Sequence, residues 1–215
     1  MTPPATTQNA SRVPIWLKIA YTVYVAVLIP VYWHYYGPTN FLYFCDVALI
    51  LTLIAIWPEN PFVISACAVG IVVPQTIWVI DFAATAAGFP LTGMTNYMFI
   101  SSHSLFLRLL SLFHGWLPFL LLYLVWKVGY DQRAFWSWTA LTWALLLVCF
   151  FLMPPPNPHA GLIPVNINYV WGTSDYAPQT WVPPYVWLTG LFVGMPLLAY
   201  APAHFLFVRL MPKPA

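Results

Sequence analysis

Apolar residues dominate six stretches of this chain, and each stretch is about as long as a helix that crosses a bilayer. Such a helix needs about 20 mostly apolar residues. The stretches that meet this test are 13–33, 40–57, 62–81, 105–127, 134–153 and 185–208. Short polar or proline-rich breaks, such as YGPTN and WPENP, separate them. The pattern predicts an all-α polytopic membrane protein with about six transmembrane helices. They form a single domain over residues 13–208, between polar tails at 1–12 and 209–215.

The composition indicates a membrane protein and limits the classes of partner that it could bind. Of the 215 residues, 61% are hydrophobic and 6% are charged, whereas soluble domains carry about 25% charged residues. The net charge of +2 is small and scattered, so we expect membrane lipid and not nucleic acid as the partner. The three cysteines lie in apolar runs and their number is odd, so we expect free thiols.

Positive charges predict the orientation in the cell membrane. If the N-terminus is cytoplasmic, six of the seven Lys and Arg residues fall at cytoplasmic ends of the predicted helices. These six are Arg12, Lys18, Lys127, Arg133, Arg209 and Lys213. Such a bias is typical of the cytoplasmic side of membrane proteins. We therefore predict that both termini are cytoplasmic.

Several polar residues interrupt the apolar stretches. The stretch from His103 to Pro118 reads HSLFLRLLSLFHGWLP and places Arg108, Ser111 and His114 inside a predicted helix. Insertion scales assign a cost of about 2.5 to 3.5 kcal/mol to an Arg at such depth, so these groups are rarely present without a partner or a function. Pro118 has no amide hydrogen to donate to the His114 carbonyl, which predicts a bend there.

Further polar groups lie in the same half of the predicted bundle. Cys45 and Asp46 open the second helix, and Asp81 ends the third. The connection 82–103 is too apolar for disorder and is expected to cover the outer mouth. In the proline-rich connection 154–184, Asn168 and Tyr169 belong to a compact polar cluster. Together these groups predict one cavity that opens outward or toward lipid, with Asp46 or Asp81 as the natural partner of Arg108.

The candidate chemistry of this cavity is acyl transfer. A cysteine and a histidine on facing helices are the minimal nucleophile and base, here Cys45 and His114. Arg108 could stabilise an oxyanion, while Asp46 or Asp81 could orient the base or the Arg. Ser111 and His114 form an alternative dyad. We expect no metal, because the five histidines include no closely spaced pair, and no cofactor, because no Gly-rich phosphate loop or dinucleotide fingerprint is present.

The order of motifs resembles a known group of proteins. FLYFCDVALI, SLFHGWLPFLLLYLVWKVGY, NINYVWG and PLLAYAPAHFLF occur in that order. They resemble a set of uncharacterised bacterial membrane-associated proteins and, more distantly, the YwaF-type integral membrane proteins, over roughly residues 40 to 208. The resemblance implies lipid acyl transfer or hydrolysis, with Cys45 as nucleophile, His114 as base and Asn168 and Tyr169 at an Asn-Tyr position. Asp46 and Phe113 stand where that pattern has Ser.

Two functions fit these observations, and a third fits them less well. The first is an intramembrane lipid acyl hydrolase or acyltransferase that uses Cys45 and His114. The second is a non-enzymatic lipid-binding protein or accessory subunit of a membrane complex, in which an Asp46–Arg108 pair only holds helices together. The third, a small transporter, needs a polar path through both halves, and the other half is apolar. Internal repeats that would favour a transporter are not evident in the sequence.

Overall fold

The protein folds as a helical bundle. The computed structural model describes residues 11–101, 104–157 and 164–214, and in these ranges it contains helices and no strands. The α-helices are α1 Ile15–Tyr36, α2 Phe44–Ile56, α3 Pro61–Ala86, α4 Leu105–Ser111, α5 Phe113–Val128, α6 Ala134–Leu152, α7 Pro184–Gly194 and α8 Ala201–Leu210. Most of the tail 1–12, together with His103 and His159, lies outside the described residues.

Among the described residues, five helical segments are long and apolar enough to cross a membrane. They are α1, α3, the combined segment Leu105–Val128, α6 and the combined segment Pro184–Leu210. The sixth apolar helix, α2, has only 13 residues. The predicted all-α, polytopic membrane fold is confirmed by these helices, and the six apolar stretches correspond to them in order.

The second crossing is shorter than the sequence predicts. Residues Pro38–Leu42 form a 3-10 helix, and Tyr43 is extended with φ −62° and ψ 138°. At 1.5 Å per residue, α2 therefore spans only about 20 Å of a hydrocarbon core of about 30 Å. The preceding 3-10 helix and Tyr43 lie at the end of the bundle opposite the chain termini.

Helix α3 is the centre of the bundle, because it packs against α2, α5, α6 and α8. Asn60 caps its first turn by accepting a hydrogen bond from the amide of Val63 at 3.1 Å, and Pro61 takes the first helical position. Gly70 lets α6 approach closely, since a Cβ atom there would lie 1.8 Å from the indole ring of Trp138. Trp138 is itself buried, so the ring has little room to move.

The fourth crossing is interrupted before Pro118. The helix continues through Pro118, and the interruption lies at Leu112, whose ψ is −5°. There the amide of Gly115 donates to the Leu112 carbonyl at 2.9 Å and not to that of Ser111. This local tightening precedes Pro118 by more than one turn, and the bend predicted at Pro118 stays a prediction.

The last crossing contains a π-helical turn. Residues Met195–Tyr200 connect α7 to α8 without a break, and Pro196 lies in the first turn of this segment. Helix α3 packs on this turn and on α8 but makes few contacts with α7. Helix α7, on the N-terminal side of this turn, therefore diverges from α3, because π-helical turns and prolines change the direction of a helix.

Both ends of the described chain meet at one end of the bundle. Glu59, in the connection between α2 and α3, accepts hydrogen bonds from the amides of Arg12 and Val13 at 2.9 and 3.1 Å, and from the hydroxyl of Ser11. Lys18 forms an ion pair with the same carboxylate at 2.8 Å. Near the other terminus, the amide of Tyr130 donates to the Pro212 carbonyl at 2.7 Å. We call this the terminal end of the bundle.

Candidate functional site

Asp46 is the most unusual residue at the opposite end of the bundle. It lies in the first turn of α2 and is only 3% exposed. Its Oδ2 atom accepts a hydrogen bond from the side-chain amide of Asn40 at 3.2 Å. Its Oδ1 atom is buried and has no partner among the described residues. A buried carboxyl oxygen without a partner is costly, and inside a membrane protein such a group is a candidate site.

Two tyrosines of α1 connect this region to α4. The Ser111 hydroxyl donates to the Leu107 carbonyl at 3.1 Å, so its single hydrogen is used, and Tyr32 is the donor in the 2.8 Å bond between the two hydroxyls. Tyr24 donates to the carbonyl of Leu110. Both phenols also lie within electrostatic range of the Asp46 carboxyl.

Tyr97 reaches the same region from the connection between α3 and α4. Its phenol lies within interaction range of the Ser111 hydroxyl, the Trp78 ring and the Cys45 thiol. We call the set of polar side chains gathered here the Asp46 cluster. Its members are Tyr24, Tyr32, Asn40, Cys45, Asp46, Tyr97 and Ser111.

Gln75 of α3 lies at the same depth as the Asp46 cluster. The Thr52 hydroxyl of α2 is within interaction range of the Cys67 thiol of α3, which fixes the register of the two antiparallel helices. From these two residues Asp46 is about 9 Å and Gln75 about 12 Å farther along the bundle, at 1.5 Å per residue. Gln75 is 3% exposed, and neither its amide nitrogen nor its oxygen has a partner within the described ranges. This depth therefore holds two buried side chains with unused hydrogen-bonding capacity.

His114 is fixed by its own helix interruption. Its Nδ1 atom lies 2.8 Å from the carbonyl oxygen of Ser111, which Gly115 leaves free. Because a carbonyl only accepts, Nδ1 carries the hydrogen, and in the neutral ring Nε2 has the free lone pair. The ring stacks on Trp78 with centroids 5.1 Å apart. His114 thus acts as a cap of the interrupted helix, and only Nε2 is left to act as a base.

Cys45 and His114 have different partners. The Cys45 thiol points toward Oδ2 of Asp46 at 3.9 Å. His114 contacts the Ser111 carbonyl, Trp78 and Phe113. In the part of the chain that the structure describes, no hydrogen bond or ring contact joins Cys45 to His114. The thiol proton of Cys45 therefore points to the carboxyl of Asp46 and not to His114. His114 also contacts the backbone of Ser111 and not its hydroxyl, which leaves the alternative Ser111–His114 dyad without its hydrogen bond.

The expected pairing of Arg108 with Asp46 or Asp81 is wrong. Arg108 donates from Nη1 to the Met98 carbonyl at 3.2 Å, and its Nε atom is buried with no partner among residues 11–101, 104–157 and 164–214. Asp81 instead accepts hydrogen bonds from the amides of Leu91, Thr92 and Thr95 and from the Thr95 hydroxyl. Asp81 thus holds the connection between α3 and α4 in place, since backbone donors satisfy its carboxylate without an arginine.

Asn168 and Tyr169 join α2 to the last connection. The Asn168 side chain donates to the Leu42 carbonyl at 2.9 Å and accepts from the Phe44 amide at 3.1 Å, so it fixes the start of α2 beside Cys45. The Tyr169 carbonyl accepts from the Trp187 indole at 2.9 Å. Both residues adopt left-handed backbone conformations, with φ of 56° and 57°. Asparagine tolerates this conformation far better than tyrosine does.

The structure therefore separates the predicted site residues into two groups. Cys45, Asp46, Ser111 and Asn168 lie around the start of α2, with His114 one turn from Ser111. Asp81 and Arg108 serve the connection between α3 and α4. The predicted site lacks Tyr24, Tyr32 and Tyr97, which the structure adds to it. Tyr32 and Tyr36 are one turn apart on the first helix and pack edge to face, a spacing that is visible in the sequence.

Comparisons with known proteins found no match to this chain. No family model matches the chain, and no curated protein or solved structure is significantly similar to it. The described residues also contain no group of three or more His, Cys, Asp or Glu side chains that could hold a metal ion. The fold defines a multi-pass, all-α membrane protein with a buried polar cluster near one end of the bundle.

Proposed function

We propose that this protein binds the polar head of a membrane lipid at the Asp46 cluster, without chemical conversion. The observation that carries the proposal is the Oδ1 atom of Asp46, which is buried and has no hydrogen-bond partner in the part of the chain that the structure describes. A ligand with an N–H or O–H group would supply the missing donor. A charge-assisted hydrogen bond of this kind contributes about 1.5 to 3 kcal/mol.

The location of the cluster favours a lipid head group. Asp46 lies in the first turn of α2, at the end of the bundle where the 3-10 helix Pro38–Leu42 and the connection bearing Tyr97 meet. Lipid head groups lie at either edge of the hydrocarbon core, so this end of the bundle is the part of the protein nearest to them. Tyrosine side chains combine an apolar ring with a polar hydroxyl, which suits this level.

The orientation is part of the proposal. Arg12, Lys18 and Arg133 lie at the terminal end, together with Lys127 and Arg209 in the last turns of their helices. Positive residues favour the cytoplasmic side. The Asp46 cluster would then face the outer leaflet of the cell membrane, with both termini in the cytoplasm.

Selective lipid retention tests the head-group proposal. The protein is reconstituted in vesicles of equal amounts of phosphatidylethanolamine and phosphatidylcholine with identical acyl chains, re-extracted in mild detergent and examined by native mass spectrometry. Phosphatidylethanolamine carries an N–H donor and phosphatidylcholine does not. We expect about tenfold enrichment of phosphatidylethanolamine, as one charge-assisted hydrogen bond predicts. Equal retention of the two lipids would reject the proposal.

A lipid acyl hydrolase or acyltransferase is the second candidate. It is favoured by the His114 ring, because the hydrogen bond from Nδ1 to Ser111 leaves Nε2 as a possible base, one turn from a cluster that contains Cys45. The resemblance to YwaF-type proteins favours the same residues. The separate partners of Cys45 and His114 require a side-chain rearrangement before a proton can pass between them.

Active-site labelling separates the two candidates. A lipid-like fluorophosphonate, which needs an activated nucleophile, should label an enzyme at Cys45, and the label should disappear in Cys45→Ala. Cys149, which is buried in α6, gives the matched control Cys149→Ala. Under the lipid-binding proposal, labelling is equal in the wild type and in both variants. Loss of label in Cys45→Ala alone would favour the enzyme.

A further inference from the structure

Arg108 is a positive charge at the end of the bundle opposite the chain termini. Its Nη1 atom donates to the Met98 carbonyl at 3.2 Å, and that acceptor is neutral. No ion pair joins Arg108 to a carboxylate within residues 11–101, 104–157 and 164–214. Asp81, one of its two predicted partners, accepts its hydrogen bonds from the connection that follows α3. The charge of Arg108 therefore has no counter-charge among the described side chains.

The unused part of this guanidinium is the edge formed by Nε and Nη2. In the described part of the chain, Nε is buried without a partner, and no hydrogen bond reaches Nη2. The bond from Nη1 orients the group, because Met98 belongs to the 3-10 turn Asn96–Met98, which follows the Asp81-bound Thr95. Two N–H donors on one edge form the fork that binds two oxygens of a carboxylate or phosphate. Arg108 thus presents an oriented fork with no bound acceptor.

Arg108 lies at the border between the buried and the exposed sides of α4. Ser111, one turn farther along, is buried, whereas Leu105 and Leu109 are 62% and 53% exposed. At about 100° per residue, Arg108 projects about 60° from Ser111 and about 60° from Leu105. The side chain itself is partly buried. A group that approaches along the exposed side of α4 therefore comes within reach of the guanidinium.

The depth of Arg108 corresponds to the edge of the hydrocarbon core. The crossing Leu105–Val128 has 24 residues. At 1.5 Å per residue it is about 36 Å long, which exceeds a hydrocarbon core of about 30 Å by about two residues at each end. Arg108 is the fourth residue of this crossing, and arginine side chains extend toward the head groups from such positions.

We infer that the Nε–Nη2 edge of Arg108 binds the phosphate of a phospholipid. An arginine in a membrane segment is costly unless a counter-charge accompanies it. Phosphate supplies that charge at the head-group level, and its oxygens match the two donors of the fork. Nη2 is the more open donor, so one phosphate oxygen meets Nη2 and a second reaches Nε after a small rotation of the side chain. Free phosphate has the same chemistry, but the exposed apolar neighbours Leu105 and Leu109 favour a lipid as its source.

The phosphate site does not depend on the proposal for the Asp46 cluster. Phosphatidylcholine has a phosphate but no N–H or O–H donor, so Asp46 gives it no preference. A contact between Arg108 and phosphatidylcholine would therefore support the phosphate site alone. If Asp46 binds no head group, this contact should still form.

Solid-state NMR tests the contact directly. Arg12, Arg133 and Arg209 are replaced by lysine, so that Arg108 is the single arginine, and its guanidinium is labelled with ¹⁵N. The full-length protein is placed in phosphatidylcholine vesicles without phosphate buffer. Dephasing of the ¹⁵N signal by ³¹P then reports whether lipid phosphorus lies close to each nitrogen. We expect strong dephasing at Nε, and its absence would overturn the inference.

Arg133 provides the matched control. Its Nε and Nη2 atoms donate to the Asp131 carboxylate at 3.1 and 2.7 Å, so its fork is already occupied. A chain with Arg133 as the single arginine should show several-fold weaker dephasing at Nε, and equal dephasing at the two arginines would contradict the inference. The wild type and Arg108→Gln, both with all arginines labelled, give the same test without the lysine replacements. No difference between their Nε signals would also contradict it.

Two further samples separate the sources of phosphate and the two proposals. One contains the protein in phosphate-free detergent micelles with added inorganic phosphate. Dephasing in these micelles but not in the vesicles would overturn the lipid as the source. The other sample is Asp46→Asn in phosphatidylcholine vesicles, where the Arg108 signal should be dephased as in the parent chain. Loss of dephasing there would contradict a phosphate site that is independent of the Asp46 cluster.

Discussion

The Nδ1 atom of His114 lies 2.8 Å from the carbonyl oxygen of Ser111, and this contact determines how the fourth crossing is built. The carbonyl is free because the chain tightens at Leu112, where the amide of Gly115 takes a nearer partner. A buried carbonyl without a donor costs about as much as a lost hydrogen bond. The imidazole donates a hydrogen bond to this carbonyl and so removes that cost. His114 therefore has a structural role that does not depend on catalysis.

Replacement of His114 by phenylalanine should therefore destabilise the protein. Phenylalanine keeps the stacking on Trp78 but cannot donate a hydrogen bond to the Ser111 carbonyl. We therefore expect the free energy of unfolding to fall by about 1 to 3 kcal/mol. Thermal or denaturant unfolding in detergent measures the change. His34→Phe is the control, because His34 is exposed on α1 and should change stability by less than about 0.5 kcal/mol. Equal stability of the two variants would show that the contact is unimportant.

Gly70→Ala should loosen the contact between α3 and α6. The new methyl group would lie 1.8 Å from the Trp138 ring, so the two helices must separate. We therefore expect the free energy of unfolding to fall by about 1 to 3 kcal/mol. Gly115→Ala, at a helical position with open space, should be neutral or slightly stabilising. Combining Gly70→Ala with Trp138→Leu should reduce the cost of the first substitution. If the two effects simply add, the close approach does not limit stability.

Glu59 should make the terminal end sensitive to acid. Partial burial alone would raise the pKa of Glu59, but hydrogen bonds from Lys18, Ser11 and the amides of Arg12 and Val13 outweigh it and lower the pKa to about 2. A lowered pKa stabilises the folded state above the ordinary pKa of the unfolded chain. That stabilisation is lost as pH falls from about 4.5 to about 2.

Proteolysis of the N-terminal segment at graded pH measures this effect. In the wild type, cleavage near Arg12 should increase as the solution becomes more acidic over that interval. Glu59→Gln should cleave readily at neutral pH and show a smaller pH dependence, since its side chain does not titrate. An acid-insensitive wild type would contradict the role assigned to Glu59.

The sequence contains much of the fold but little of the site. Long apolar stretches predict crossings, because a helix satisfies its own backbone in lipid. The sequence predicts a second helix that is longer than α2. Asn168, more than 120 residues away, hydrogen-bonds to the carbonyl of Leu42 and the amide of Phe44, and these contacts set where α2 begins. Such long-range caps have no local pattern.

The partners of polar groups were the least predictable part. Arg108 was expected to need a carboxylate, but a backbone carbonyl accepts its hydrogen bond, while Asp81 finds its donors in the following connection. Opposite charges in one half of a bundle predict a pair only if no backbone group is closer. Tyr32 was overlooked since a tyrosine among apolar residues is typical of a membrane interface as well as of a buried hydrogen bond.

The proposed orientation predicts which surfaces face the outside of the cell. Thr173→Cys, in the exposed connection before α7, should react with a membrane-impermeant maleimide on intact cells. Lys213→Cys, at the terminal end, should react only after permeabilisation. The two variants control for each other, because both new thiols are exposed. The opposite pattern would show that the termini are extracellular.

Asp46→Asn tests the central claim most directly. The substitution preserves shape and replaces one carboxyl oxygen by an amide donor, so the approximately tenfold enrichment of phosphatidylethanolamine over phosphatidylcholine should fall to about equal retention. Asp175→Asn removes a carboxylate from an exposed connection and should leave the enrichment unchanged. Native mass spectrometry of both variants from the mixed vesicles gives the answer. If enrichment persists in Asp46→Asn, the lipid head is not bound at the Asp46 cluster.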